Sequence, residues 1–323
     1  MKPSSEKIRV GVIGTGYLGK FHTEKYAHMD DVELVGVVDV DSSLARNIAE
    51  KYSTKAYASH LDILDQVDAV SIVVPTPAHF AVSRDFLAND VDVLIEKPMT
   101  TTLEEADELI EVAESKSLII QVGHLERFNP AVLALDGIVN KPMFIESHRL
   151  SIYHQRALDV SVVLDLMIHD IDIISSFVRS EINTIHAAGI PVISENVDIA
   201  NARLEFDNGC VANVTSSRIS TKNERKIRLF QRDAYISVDF ANHEITVIRQ
   251  NERFRNNVIP GMEINQLCFT KSDALEEELK AFVRSVRRRE TPEVNGQVGR
   301  QALKIALNIM EQINTTISRF LIG

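Results

Sequence analysis

With 323 residues, 45% of them hydrophobic, the chain is long enough for two domains and too apolar for intrinsic disorder. Its 35 basic against 46 acidic side chains give a formal charge of −11, which argues against a nucleic-acid partner but not against a phosphorylated small ligand that meets local charge. Cys210 and Cys268 stand alone, which excludes a disulfide framework or a cysteine zinc cluster, and no apolar run reaches the roughly 20 residues that cross a bilayer.

The N-terminal stretch MKPSSEKIRVGVIG has no secretory core, so a cytoplasmic protein is expected. IRVGVIG is a near-continuous apolar run, as in a parallel strand covered on both faces, and a helix follows from Tyr17 to about His28. Next come strand VELVGVVD, helix SSLARNIAEKY, short strand KAYAS, helix HLDILDQV, strand AVSIVVPT, helix AHFAVSRDFLAND and strand VDVLIEKP. A helix opening with a Thr102/Glu105 capping box leads into strand LIIQVGH. Repeated βα units of this kind predict an α/β fold with a doubly wound parallel Rossmann sheet over residues 1–126. Residues 127–323 read as a second, α+β domain with a large, mostly antiparallel open sheet, in which the helix VSVVLDLMIHDIDIISSFV is embedded among strands. A hairpin about Asn208-Gly209 is expected there. The last two helices end the chain and could pack on either domain, and VRSVRRRE reads as a solvated helix end.

Gly14-x-Gly16-x-x-Gly19 follows the first strand and opens the first helix, and Asp39 ends the second strand about 20 residues later. Gly14 allows the tight turn, Gly16 lets the backbone approach a pyrophosphate, and Gly19 allows close packing. The helix N-terminus, with the backbone of Tyr17 and Leu18, then offers N–H groups to phosphate. Asp39 suits both ribose hydroxyls of NAD and repels a 2′-phosphate, so NAD is the expected cofactor. Ligands of such sheets lie at the carboxyl ends of strands, which adds Pro75, Thr76, His79, Glu96 and Lys97 to the expected cofactor site.

GVIGTGYLGKFH, EKP and DLMIHD together resemble the Gfo/Idh/MocA family of NAD(P)-dependent sugar and cyclitol oxidoreductases, over essentially the whole chain. That resemblance implies that Lys97 of EKP is catalytic, with Asp165 and His169 of the helix motif completing the site. It also implies a cis Lys97–Pro98 bond and a homo-oligomer, dimer or tetramer, built on the C-terminal sheet. The phrases QVGHLERFNPAV and DIANARLEFDNGCVAN are similar to those of bacterial UDP-N-acetylglucosamine 3-dehydrogenases, whose 3-keto product passes to an aminotransferase on the lipid A route. An inositol or free-sugar dehydrogenase is the alternative, and a non-catalytic nucleotide sensor the alternative of another class.

Oxidation of a secondary alcohol needs a base for the hydroxyl proton and a carbon facing the nicotinamide. Asp165 and His169 are spaced i, i+4 on one helix face, with Asp172 on that face and Asp170 turned about 100° away with no assigned role. The adopted assignment makes His169 the base and Lys97 a donor to the reacting oxygen, with Asp165 orienting one of them, but the resemblance leaves open which of Lys97 and His169 takes the proton. A metal is not expected, since hydride transfer to NAD needs none. For a UDP-sugar the substrate candidates are Arg127, Asn129, His154 and Arg156 beside Asp165 and His169, because arginine forks suit a diphosphate.

Overall fold

The computed structural model describes residues 6–153, 160–251, 253, 259–270 and 272–322. The chain forms two compact units, one reaching to Phe128 and including Asp273–Leu303, the other Asn129–Ser272 with the residues from Lys304 onward. In the first unit β1 (Ile8–Ile13), α1 (Gly19–Ala27), β2 (Val32–Val38), α2 (Ser42–Lys51), β3 (Lys55–Tyr57), β4 (Ala69–Ile72), α3 (Thr76–Ala88), β5 (Asp92–Glu96), α4 (Leu103–Lys116) and β6 (Ile120–Gly123) alternate. The strands make a parallel sheet in the order β3-β2-β1-β4-β5-β6. Every residue of β4 and β5 is buried, which is why these strands read as unbroken apolar runs. The order reverses between β1 and β4, so their carboxyl ends open the crevice where such sheets bind ligands.

The helix expected over HLDILDQV is only a 3-10 turn, His60–Ile63, begun by the Leu61 N–H donating to the Ser59 hydroxyl. Gln66 turns its side-chain amide back onto the Asp62 carbonyl, which takes an acceptor that a longer helix would use.

In the second unit a short α5 (Pro130–Leu133) precedes β7 (Phe144–Ile152). A single π turn, Val163–Met167, runs directly into α6 (Ile168–Val178). Then follow β8 (Ile182–Ile190), β9 (Ile199–Phe206), β10 (Val211–Ser220), β11 (Glu224–Gln231), β12 (Ala234–Asp239), β13 (Glu244–Gln250) and β14 (Met262–Cys268). They form one sheet in the order β14-β13-β12-β11-β7-β10-β9-β8, antiparallel throughout except for β7 beside β10. Gly209 takes a φ of +86° in the β9–β10 hairpin, a conformation that glycine adopts without strain. One sheet face buries Ile145, Leu204, Val214, Leu229 and Ile236, and α6 lies against its β7 and β10 strands.

α7 (Ala274–Arg288) belongs to the first unit, one of the two placements left open for the last helices. Its stripe Leu279, Phe282, Val283 and Val286 has helical spacing and joins Val10, Val12, Tyr26 and Val37 in the core of the Rossmann unit. The basic end of α7 is not simply solvated. Arg287 donates to the Asp31 carbonyl at 3.0 Å, and Arg289 pairs with Asp92 and reaches the Ser117 carbonyl. α8 (Gly296–Ile322) follows, and among the described residues no helix is long and apolar enough to cross a membrane.

Candidate active site

The glycine loop between β1 and α1 is shaped by its missing side chains. A Cβ on Gly19 would stand 1.8 Å from the Gly14 carbonyl oxygen, and one on Gly14, whose φ is +95°, would stand 2.6 Å from the Val73 oxygen. At Gly16 a Cβ would meet nothing within 4 Å, so the loop is open to a ligand there. Helices α2, α4 and α7 carry side-chain caps from Asp41, Thr102 and Asp273, but α1 has no side-chain cap and no acid in its first turn. The Lys20 and Phe21 N–H groups already bond to the Gly16 and Leu18 carbonyls, so what this uncapped end offers an anion is the positive end of its dipole. Asp39 is held in place: Thr15 donates to its Oδ2 through backbone N–H (2.7 Å) and hydroxyl (2.8 Å), and the Asp41 N–H reaches Oδ1 at 2.9 Å. Tyr17 and Leu18 are exposed at the loop crest. The donor set fits a dinucleotide: backbone at Gly16 and the α1 N-terminus for the pyrophosphate, Asp39 for ribose hydroxyls.

At the end of β5 the Lys97–Pro98 bond is cis, and Lys97 is partly exposed. Glu96, expected to face the cofactor, is instead buried. Its Oε1 lies 3.1 Å from His22 Nε2 on α1, and its Oε2 accepts the Lys97 N–H at 3.3 Å. The space for this carboxylate comes from β6, where Gly123 pairs with Glu96 and a Cβ would stand 2.9 Å from the carboxyl carbon. Burial alone would raise the Glu96 carboxyl, but the His22 bond and the charges of His22 and Lys97 outweigh it and hold the group below the ordinary range. Glu278 of α7 has the opposite balance. It is fully buried, neither carboxyl oxygen has a hydrogen-bond partner among the described residues, and burial followed by the charge of Glu96 pushes it well above the ordinary range. Glu278 therefore holds its proton more tightly than an ordinary carboxyl. Pro75 and Thr76 begin α3, which also lacks a side-chain cap, while His79 is buried with both ring nitrogens on backbone carbonyls and does not face outward as expected.

In the second unit Asp165 lies within the π turn and His169 in the first turn of α6, both partly exposed. The Ile168 N–H bonds to the Val163 carbonyl, five residues back. A turn of that width rotates the chain less per residue than a regular helix, in which i and i+4 sit about 40° apart, and so brings Asp165 and His169 closer to one line. Asp172 and Asp170 are buried. Asp170 proves to be a structural partner, because the Arg149 guanidinium on β7 grips both its oxygens, with Nε at 3.1 and 3.2 Å and Nη2 at 2.8 Å.

Two substrate candidates have structural partners of their own. Arg127 is buried and its Nη2 is committed to Glu293 at 2.7 Å. Asn129 is the N-cap of α5, its Oδ1 accepting the Ala131 N–H at 3.0 Å. His154 and Arg156 lie outside the described residues. No group of three or more metal-ligating side chains occurs among the described residues.

Residues 8–124 match the oxidoreductase family profile with an NAD-binding Rossmann fold, and residues 132–237 match the GFO/IDH/MocA C-terminal domain. The UDP-N-acetylglucosamine 3-dehydrogenase of Acidithiobacillus ferrooxidans is 35% identical over 97% of this chain and 99% of its own. The chain belongs to the Gfo/Idh/MocA family. A crystal form of that Acidithiobacillus enzyme superposes with a TM-score of 0.90 at 34% identity, over 96% of this chain and 98% of the other. The myo-inositol 2-dehydrogenase of Thermotoga maritima is 26% identical over 92% of this chain and 93% of its own. As a Gfo/Idh/MocA oxidoreductase the chain is an NAD-dependent dehydrogenase acting on a CH–OH group, and the loop geometry above accounts for its cofactor. Sequence reasoning missed His22, Thr15 and Gly123. For His22 a signal existed, because His22 and Tyr26 repeat at i, i+4 on the buried side of α1.

Proposed function

We propose that this dehydrogenase oxidises the C3 hydroxyl of UDP-N-acetylglucosamine to the 3-keto sugar. The observation that carries this reading is the nearly end-to-end match to an enzyme named for that reaction. Lys97, Asp165 and His169 are the residues assigned to the chemistry. His169 takes the hydroxyl proton, Lys97 donates to the reacting oxygen, and Asp165 orients His169. NAD, when bound, accepts the hydride that leaves the carbinol carbon. Lys97 and His169 are both partly exposed and so accessible to a ligand, as the roles require.

A 3-keto sugar is a substrate for transamination, so an aminotransferase on the lipid A route is the proposed consumer of the product. A cytoplasmic location goes with this reading, since Cys210 and Cys268 are both free thiols. The outward face of the C-terminal sheet carries Phe144, Phe230 and Tyr235 in ring contact, at centroid distances of 5.4 and 5.1 Å, and is the proposed surface for a homo-oligomer.

The test is direct. Protein, NAD and either UDP-N-acetylglucosamine or myo-inositol are mixed and NADH absorbance is followed. The UDP-sugar is expected to turn over. Turnover of inositol alone would replace the substrate, and binding of NAD with no turnover of any sugar would favour a sensor. Lys97→Ala is expected to lower kcat by about 10²–10⁴-fold, the span of general acid–base catalysis.

A further inference from the structure

His79 is 1% exposed in the first turns of α3. Its Nδ1 lies 2.9 Å from the Pro98 carbonyl oxygen and its Nε2 2.8 Å from that of Val74. A carbonyl oxygen only accepts, so each contact is a hydrogen bond only when its nitrogen carries a proton, and a neutral imidazole has one N–H to give. The two carbonyls belong to different loops. Val74 follows β4, and Pro98 follows Lys97 at the end of β5. Burial opposes protonation of the ring and outweighs the Pro98, Val74 and Met99 carbonyls and the charge of Glu96, which favour it, so His79 holds a second proton less readily than an ordinary imidazole. Glu96 itself is fixed by His22, so the Lys97 turn is held from one side by His22 through Glu96 and from the other by His79.

We propose that His79 is a positioning residue for Lys97: a proton-dependent clamp that ties the Lys97–Pro98 turn to the end of β4 through two N–H···O=C bonds. With the ring doubly protonated both bonds form. With the ring neutral, one contact sets a lone pair against a lone pair and the tie on that side opens. The inference rests on the reading of Lys97 as catalytic. It changes the expected role of His79 from touching the cofactor to holding the lysine turn.

The experiment uses full-length protein labelled with ¹⁵N in histidine rings and lysine amides. His79 is assigned by the signal lost in His79→Gln. Because burial lowers the ring's pKa, both of its ring nitrogens are expected to carry protons only at the most acid pH at which the protein stays folded. As the pH rises one proton leaves, and the Lys97 amide shifts along the same titration curve. A ring with one bare nitrogen already at that acid pH, or a ring that titrates while the Lys97 amide stays still, overturns the proposal. In kinetics His79→Leu is expected to lower kcat by about 10–100-fold, as for a misplaced catalytic group, while the calorimetric Kd for NAD moves less than about twofold. Loss of NAD affinity with kcat retained would return His79 to the cofactor, and no change in either would sink the clamp. His79→Gln, with a single donor group on one side, should fall between Leu and the wild type, and it serves if the leucine variant does not fold. The ring titration needs no turnover, so it is read independently of Lys97→Ala.

Discussion

In the second unit the buried carboxylates of Asp170 and Asp198 each meet several donors, whereas in the first unit Glu96 leans on one histidine and one peptide N–H and Glu278 meets no donor among the described residues. Asp198 accepts the N–H groups of Val192, Ile193 and Ser194 on Oδ2 at 2.7–3.0 Å and the Ser194 hydroxyl on Oδ1. Burial works against its ionisation, but those donors prevail and bring its pKa down to about 2. A buried charge with all its bonds made serves as a fixed joint. A buried acid left short of donors is costly, and it sits here behind the turn that presents Lys97.

The largest effect that could break this contrast is at Asp170. Asp170→Ala strands the Arg149 guanidinium in the interior and should lower unfolding free energy by about 3–5 kcal/mol in urea denaturation. A loss below about 1 kcal/mol would show that the pair is not the joint described. Replacing both partners with apolar residues of similar size should recover most of that loss.

Asp198 should contribute about 2 kcal/mol, and its pH dependence fixes the sign. Its folded pKa lies below its ordinary value of 3.8, so the contribution is complete above that pH and is lost as the pH falls towards about 2. Asp198→Asn should flatten acid unfolding across that window. An unchanged acid profile would mean that the three N–H bonds are not made in solution.

The smallest effect has the opposite sign. Glu278→Met removes an unpaired buried carboxyl and should stabilise the protein by on the order of 1 kcal/mol. Because burial raises its folded pKa, Glu278 is least costly below its ordinary value of 4.5, and stability falls as the pH rises from there through the raised value. The gap between the methionine variant and the wild type should therefore widen from acid to alkaline pH in thermal melts. A gap that narrows would show that Glu278 is ionised in the folded state.

The Rossmann sheet was legible because a strand covered on both faces leaves a nearly continuous apolar run, and the glycine fingerprint because each glycine answers a distinct steric demand. Lys97, Asp165 and His169 stand out in the sequence as residue types at a spacing, and their catalytic role is a proposal. The partners of buried polar groups were not. Asp170 meets Arg149 only through the placement of α6 on β7, a tertiary fact with no local pattern. The position of His79 at the ligand edge was apparent, but the direction of its ring depends on two loops that meet in space. Arg127 was drawn towards a diphosphate and Asn129 towards the sugar or nicotinamide by their chemistry, although Asn129 before Pro130 is also a helix-start signature. The π turn at Asp165 left the i, i+4 count intact and so gave no trace in the sequence.

Gly123 has no functional group, and its whole contribution is an absent atom beside Glu96. Its consequence lies in substitution tolerance. A saturation scan should find this strand position intolerant, because even the smallest added side chain would have to push the buried carboxylate from its place beside His22 without touching any ligand.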